Sequence, residues 1–186
     1  MKIIDNYLYI HNIDEFVIIP TFPDAVSDSM GSTFAENSPL ARSAPIFTYS
    51  SSGPRQVGVS LSLHREMMYL LNYGISNFKV DVGDDYVDSL IAKLQACALP
   101  EYKTSEKMVN PPIVSMRLGK EVYIHGVITS AINTVYNLPI LSNDKYALVN
   151  INFTISEIDP YSASDVARLG GYRGVSRSLE RNIYKQ

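Results

Sequence analysis

The sequence predicts a mainly β protein of the α+β class, in which one helix packs against antiparallel strands. Residues 55–64 and 145–158 alternate apolar with polar side chains, which is the period of a strand buried on one face. Residues 84–99 repeat their apolar side chains at helical spacing instead. Together, these three segments indicate a sheet that is covered on one side by a helix.

Length and composition favour one domain, or one domain with an arm, whose surface is partly covered by partners. A chain of 186 residues is long enough to bury roughly 70% of its unfolded surface. Charged residues make up 19% of the chain, below the ~25% typical of soluble domains, and the net charge is -3. A protein with this charge exerts no general attraction on DNA or RNA.

Cysteine usage and the N-terminal sequence favour a protein made in a reducing cytosol. Cys97 is the single cysteine, so no internal disulfide forms, and the chain lacks the Cys and His spacing of a zinc site. Residues 1–16 include Asp and Glu where a signal peptide needs an apolar run, and no run of ~18 apolar residues occurs. We expect neither export by the usual route nor a membrane-spanning segment.

The N-terminal part predicts two short strands followed by a long loop. Residues 15–20 are rich in β-branched side chains and predict a strand, with a weaker one at residues 7–10. Residues 21–43 are rich in Ser, Asp, Pro and Gly, which is typical of a loop. This loop is either a surface loop without further role or a segment whose apolar side chains dock on a neighbouring subunit. Those apolar side chains are Met30, Phe34 and Leu40.

Residues 44–50 and 55–64 predict a hairpin whose turn is the SSSGP segment. The second strand places small uncharged side chains on its polar face, including Gln56, Ser60 and Ser62. Such a face suits a surface that lies close to another surface or lines a passage. The following run REMMYLLNYG predicts a short helix, or else an extension of the strand.

The strongest helical pattern lies at residues 84–99. Asp84, Asp85 and Asp88 stand where the helix N-terminus is positive, and Pro100 stops the helix. Cys97 lies beside the apolar stripe, which indicates a buried and inert thiol.

The second half of the chain predicts further strands. Residues 113–118 and 120–130 form a hairpin around a two-residue turn, and residues 131–138 continue into another strand. In the strand at residues 145–158, Asn150 and Asn152 belong to a polar face that is again nearly without charge.

The C-terminal segment, residues 161–186, predicts a basic arm. It contains five basic residues against two acidic ones, and three glycines interrupt any long helix. The arm is either a disordered tail or an extended segment laid across an acidic partner. Three of its arginines are candidate contact residues: Arg168, Arg173 and Arg177.

The sequence lacks a convergent set of catalytic or ligand-binding residues, so we expect neither an enzyme nor a cofactor. His11, His64 and His125 are far apart and have no zinc-ligand spacing. His64, Arg65 and Glu66 are adjacent on a predicted strand and therefore point to opposite faces. The acidic cluster around Asp85 fits helix capping better than a cation site, and the serines at residues 50–52 lack the glycine of a nucleophile elbow.

The order of these segments resembles tail-tube-like adaptor or tube-initiator proteins from the baseplate end of bacteriophage tails and contractile injection particles. The resemblance extends over residues 16–161 and includes a strand-ending pattern formed by Ile155, Ile158, Asp159, Pro160 and Tyr161. The segments that carry it are residues 42–68, 84–102, 111–119, 122–130 and 138–163.

The resemblance implies a fold of two packed antiparallel sheets with one flanking helix, which forms a ring-wide β-barrel on oligomerisation. Residues 1–160 would be the tail-tube-like β domain, with the long loop at 21–43, and residues 161–186 the basic arm. The implied partners are other copies in a hexameric ring, the tail tube protein, and baseplate hub or wedge proteins. DNA would pass through the lumen without specific binding, in a virion tail assembled in the bacterial host cytoplasm.

The expected oligomer contacts combine the apolar residues of the loop, the two uncharged strand faces and the arm. They are Met30, Phe34, Leu40, Gln56, Ser60, Ser62, Asn150, Asn152, Arg168, Arg173 and Arg177.

Two other functions remain open at this point. One is a different virion ring component, such as a tail terminator or neck connector. The other is a small-ligand-binding or enzymatic β domain that depends on His64, Glu66 and His125.

Overall fold

The structure is a computed structural model that describes residues 6–19, 21–40, 43–71, 85–103, 108–119, 121–159 and 162–169. Within these residues the protein is mainly β and its strands pair antiparallel, as predicted. The strands are β1 (Asn6–Ile10), β2 (Glu15–Ile18), β3 (Ala25–Ser29), β4 (Ser32–Asn37), β5 (Ile46–Ser52), β6 (Gln56–His64), β7 (Glu101–Lys103), β8 (Met108–Asn110), β9 (Ile113–Leu118), β10 (Val122–Ile128), β11 (Asn133–Ile140) and β12 (Tyr146–Glu157). The helices are α1 (Arg65–Leu71), α2 (Tyr86–Ala96) and α3 (Ala163–Leu169).

Eight of the described strands form one branched sheet, while β4 pairs with β5 and β7 pairs with β8 outside it; the tail-tube arrangement of two packed sheets stays a prediction. The strand order in the branched sheet is β2-β1-β9-β10-β12-β6-β3, and β11 also pairs with β12. The sheet branches because β12 is long enough to share one edge between two strands. Residues 146–152 of that edge pair with β11, whereas residues 155–157 pair with β10.

The branch point keeps its backbone groups hydrogen-bonded. The Thr129 amide donates to the Thr154 carbonyl over 3.1 Å, and the Thr154 amide donates to Ser130 Oγ over 2.7 Å. The residues between β10 and β11 therefore complete the ladder of β12 where neither strand reaches.

One hydrophobic core joins β1, β6, β9, β10 and β12 to α2. The apolar face predicted for β6 is buried, and so is that of β12 from Val149 onward. Residues of β1, β9 and α2 pack into the same cluster, and Cys97 is a fully buried member of it. Each fully buried aliphatic side chain contributes about 1.5–3 kcal/mol. The main core side chains are Leu8, Ile10, Val57, Leu61, Leu63, Val87, Leu90, Leu94, Val114, Met116, Ile124, Val149, Ile151 and Ile155.

Both predicted helices are present. Asp85 is the N-cap of α2, and its side chain accepts a hydrogen bond of 3.0 Å from the Val87 amide. The short helix α1 follows β6 directly at Arg65, which confirms a helix there rather than an extension of the strand.

The prediction of a long loop at residues 21–43 is wrong, because β3 and β4 lie within this range. β3 pairs with β6, and β4 pairs with β5, so residues 25–64 form one long hairpin. β5 and β6 follow each other along the same leg, and the hairpin predicted between residues 44–50 and 55–64 is also wrong. β4 and β5 are exposed on both faces, so their sequences lack the alternation by which buried strands are recognised.

Three smaller predictions change in detail. β9 and β10 pair as predicted, but residues 119–121 separate them, with Gly119 left-handed at φ 58. β11 begins and ends two residues later than expected. The start of the C-terminal arm is helical, since α3 lies within it, and residues 170–186 lie outside the described residues.

Candidate assembly surface

Four neighbouring strands, β3, β6, β12 and β11, present a face without charged side chains. We call it the uncharged face. The register aligns its residues across the strands: Ser60 lies between Ala25 and Asn152, and Asn152 lies opposite Asn133. The face includes Ala25, Ser27, Ser29, Gln56, Gly58, Ser60, Ser62, Asn150, Asn152, Thr154, Asn133, Val135 and Asn137, and the same register continues it to His64, Leu148 and Ser156.

The structure brings together the five contact residues predicted on β6 and β12. Gln56 and Asn152 are exposed, and the other three are half-buried. Ser62 Oγ donates to Asn150 Oδ1 over 2.9 Å, so these two residues are paired across the strands. The sequence identified both halves of this face, and the β6–β12 register joins them.

A shallow depression of about 390 Å³ lies on the uncharged face. Hydroxyl, amide and backbone groups line it, among them Ser27, Ser60, Asn133 and Asn152. The glycine at position 58 allows the Ser27 side chain to lie over β6. A Cβ at this position would come within 2.5 Å of Ser27 Oγ. The lining offers hydrogen bonds but no group suited to acid–base chemistry.

The two outer strands of this four-stranded unit have free edges. In the part of the chain that the structure describes, β3 pairs only with β6, and β11 pairs only with β12. Since each of the four strands runs opposite to the next, β3 and β11 run in opposite directions. A free edge is a template for pairing with another chain.

β4 and β5 extend the unit as an antiparallel pair, which we call the projecting hairpin. It reaches about 20 Å beyond the sheet, given its strand length and a rise of about 3.4 Å per residue. Phe34 and Tyr49 are cross-strand partners in edge contact, with ring centroids 5.7 Å apart. Phe47 shares their face, and all three rings are more than half exposed. An apolar surface of this kind is a candidate contact site.

Of the contact residues predicted in residues 21–43 and in the C-terminal arm, those that the structure describes lie outside the four strands of the uncharged face. Phe34 lies on the projecting hairpin, Met30 at its base and Leu40 near its tip, and each is exposed. Arg168 lies in α3. Arg173 and Arg177 lie outside the described residues.

A buried arginine stands at each end of β6. Arg55 is 2% exposed and directs Nε and Nη2 to the two carboxylate oxygens of Asp28, each over 2.9 Å. Its Nη1 donates to the Tyr123 carbonyl over 3.0 Å and lies 3.7 Å from Glu157 Oε1. Two carboxylates and a carbonyl thus satisfy one guanidinium inside the fold.

Arg65 repeats this arrangement at the other end of β6. It binds the carboxylates of Asp85 and Asp88 and donates to the Tyr146 carbonyl over 2.8 Å. Burial would lower the pKa of Arg65, but the hydrogen bonds and charges of the two aspartates raise it. Lys145 also pairs with both aspartates, so the acidic cluster caps α2 and anchors α1.

Sequence reasoning missed a second polar cluster around two histidines. The rings of His11 and His125 are in edge contact, with centroids 5.2 Å apart. His11 Nε2 lies 2.7 Å from Ser115 Oγ, and His125 Nδ1 lies 3.3 Å from the Asp159 carboxylate. The cluster forms because the register places Ser115 directly between β1 and His125.

This cluster does not offer an accessible nucleophile. Ser115 is 1% exposed, so a substrate could not approach its hydroxyl without rearrangement. Tyr9 donates to Asp14 at its edge, and burial together with this carboxylate raises the pKa of Tyr9 to about 12. At the β6–α1 junction, His64 and Glu66 are exposed whereas Arg65 is buried.

Among the described residues, His, Cys, Asp and Glu side chains form no group of three that could hold a metal ion. None of the described helices is long and apolar enough to cross a membrane. No protein-family model matches the sequence, and no curated protein is significantly similar to it.

Proposed function

We propose that the protein is a non-enzymatic structural component of a phage tail or tail-like particle, where it forms a ring at the junction of tail tube and baseplate hub. The observation that carries this proposal is the four-stranded unit, with an uncharged face and two free edges of opposite direction. The segment order that resembles tail-tube-like proteins supports the proposed position in the tail.

The strand directions support assembly by edge pairing. When copies are placed side by side in the same orientation, β11 of one copy lies antiparallel to β3 of the next. The alternation of strands therefore continues across each junction without a break. Such head-to-tail contacts form a closed ring if the rotation closes, and closure removes every free edge of the unit. A hexamer would contribute four strands per copy to one barrel.

The composition of the uncharged face supports its position on the lumen. Its serines, asparagines and single glutamine hydrate well but carry no charge. A charged polymer such as DNA would pass this wall without being held by ion pairs. The opposite face of β6 and β12 forms part of the hydrophobic core, so it is not available to line a channel.

The projecting hairpin supports contacts beyond the barrel. Its aromatic face leaves the sheet past the end of β12, where it could meet the tail tube protein or a baseplate hub or wedge protein. Phe34, Phe47 and Tyr49 are exposed rings of the kind that dominate protein interfaces.

Native mass spectrometry and negative-stain images of the purified protein, alone and mixed with tube and hub proteins, test the proposal. We expect closed rings of uniform size in at least one of these mixtures. A protein that stays monomeric in all of them would contradict the proposed function. Cross-linking in intact particles tests the position: links to baseplate proteins support the junction, whereas links to neck proteins would indicate a terminator or connector.

A further inference from the structure

We propose that Arg55 and Asp28 form a clamp that fixes the direction of the projecting hairpin, so that the hairpin leaves the sheet as a rigid arm. Only the use of this arm in assembly rests on the proposed function. The clamp itself follows from the contacts at the base of the hairpin.

The clamp joins the two legs of the hairpin. Asp28 belongs to β3, and Arg55 directly precedes β6, which is the partner strand of β3. The planar guanidinium binds the planar carboxylate through two parallel hydrogen bonds of 2.9 Å. This geometry fixes the orientation of the two groups as well as their distance.

The same guanidinium ties the legs to the branch point of the sheet. Arg55 Nη1 donates to the Tyr123 carbonyl of β10, and the buried Glu157 carboxylate at the end of β12 lies nearby. In the reverse direction, the Glu157 amide donates to the Arg55 carbonyl over 2.9 Å. Arg55 therefore holds the hairpin legs against two further strands.

The clamp lies beside a weak point of the hairpin. Met30 and Gly31 interrupt one leg, and Gly53 and Pro54 interrupt the other. One backbone hydrogen bond, from the Gly53 amide to the Gly31 carbonyl over 2.8 Å, connects the legs there. Glycines on both legs would allow the distal part to swing. The clamp lies on the body side of this point and holds both legs where they leave the sheet. It therefore fixes the direction in which the arm starts, which lowers the entropy lost when the arm binds a partner.

Spin labels on the hairpin and the body measure the direction of the arm. Thr48→Cys on the hairpin and Gln95→Cys on α2 provide two exposed label positions. The native Cys97 is fully buried, and burial raises the pKa of its thiol to about 12, so it does not compete for the label. Pulsed electron paramagnetic resonance then gives the distribution of distances between the labels.

The test compares Asp28→Asn with the matched variant Asp88→Asn. Each substitution removes the more exposed carboxylate from a buried arginine, but Asp88 belongs to the Arg65 cluster at the far end of β6. We expect one narrow distance distribution in the parent and in D88N, and a distribution at least twice as wide in D28N. Arg55→Lys should widen it as well, because an ammonium group cannot reproduce the two parallel bonds.

A D28N distribution as narrow as that of D88N would overturn the clamp. Circular dichroism shows whether D28N is folded. If it is not, the same comparison is made on R55K, which keeps the buried positive charge beside Glu157. The experiment is performed on dilute monomer, so a failure to form rings would contradict the proposed function and leave the clamp to be decided by the label distances.

Discussion

His11 and His125 lie in edge-to-face contact with their ring centroids 5.2 Å apart, at the end of β1 and within β10. Burial lowers the pKa of His11, and the neighbouring His125 lowers it further, while Asp14 acts in the opposite direction. The other polar groups at the cluster are Ser115, the Asp159 carboxylate and the Tyr9 hydroxyl. A proton added to His11 therefore meets a partly buried site beside another imidazole.

This contact predicts that the protein loses stability on mild acidification. Because the pKa of His11 is depressed in the folded state, the unfolded chain binds the proton more readily. The contribution of neutral His11 to the free energy of unfolding is complete above the ordinary histidine pKa of ~6.5. It is lost as the pH falls from there through the lower pKa that His11 has in the folded protein. Denaturant unfolding between pH 8 and pH 5 should show a smaller pH dependence in His11→Gln than in the parent.

The exposed His64 provides the matched control. Any change in the pH dependence of the unfolding free energy that His64→Gln also produces is not specific to the histidine cluster. Equal slopes for the parent and H11Q would show that His11 does not contribute to the acid sensitivity.

The packing of α2 on the sheet predicts a large loss of stability for Leu94→Ala. Leu94 is fully buried in the cluster that joins α2 to the sheet. Removing its side chain should lower the free energy of unfolding by about 2–5 kcal/mol. Gln95→Ala, at the exposed neighbouring position, should change it by less than about 0.5 kcal/mol in the same chemical denaturation experiment. Similar effects of both substitutions would show that α2 does not cover the core.

β10 meets the end of β12 at Gly126, and the contact is so close that we expect only glycine to fit at this position. A Cβ at this position would come within 2.0 Å of the Ser156 carbonyl oxygen, which is backbone and cannot swing away. Gly126→Ala should therefore separate β10 from the end of β12, at a cost of about 1–3 kcal/mol or more. Gly53→Ala is the comparison, since its Cβ would meet the nearest atom at an ordinary 3.5 Å. If thermal unfolding gave a lower melting temperature for G53A than for G126A, the close contact of β10 with the end of β12 would be contradicted.

The proposed lumen position predicts that charge on the uncharged face is tolerated by the ring. Asn152 is exposed at the centre of this face, opposite Ser60 and Asn133. Asn152→Glu should leave the ring mass unchanged in native mass spectrometry while adding one negative charge per copy to the channel. Dissociation of the ring by N152E, but not by Asn152→Gln, would indicate that the face lies between subunits instead.

The sequence predicts those elements whose environment differs between their two sides. β6 and β12 alternate because one face contacts the core and the other does not, and α2 shows its stripe for the same reason. β4 and β5 have solvent on both faces, so no alternation distinguishes them from a loop. Their pairing is visible only in the structure.

The residues of the candidate site also differ in whether the sequence reveals them. Gln56 and Asn152 are recognisable because an uncharged row stands out within a strong strand pattern. Arg55 follows the SSSGP segment in the sequence, and its burial depends on Asp28 and Glu157, which pairing brings from β3 and β12. Contacts between distant strands depend on register, and register is set by the folded sheet as a whole.

Cross-linking between the free edges of β3 and β11 tests the central proposal most directly. Ser27→Cys and Asn133→Cys are prepared as separate variants and mixed, so that every link between the two positions joins different copies. A flexible thiol linker of about 10 Å spans roughly two strand spacings. We predict covalent dimers in the mixture under ring-forming conditions, and few in either variant alone. Rings that form without any link between these two strands would contradict edge pairing.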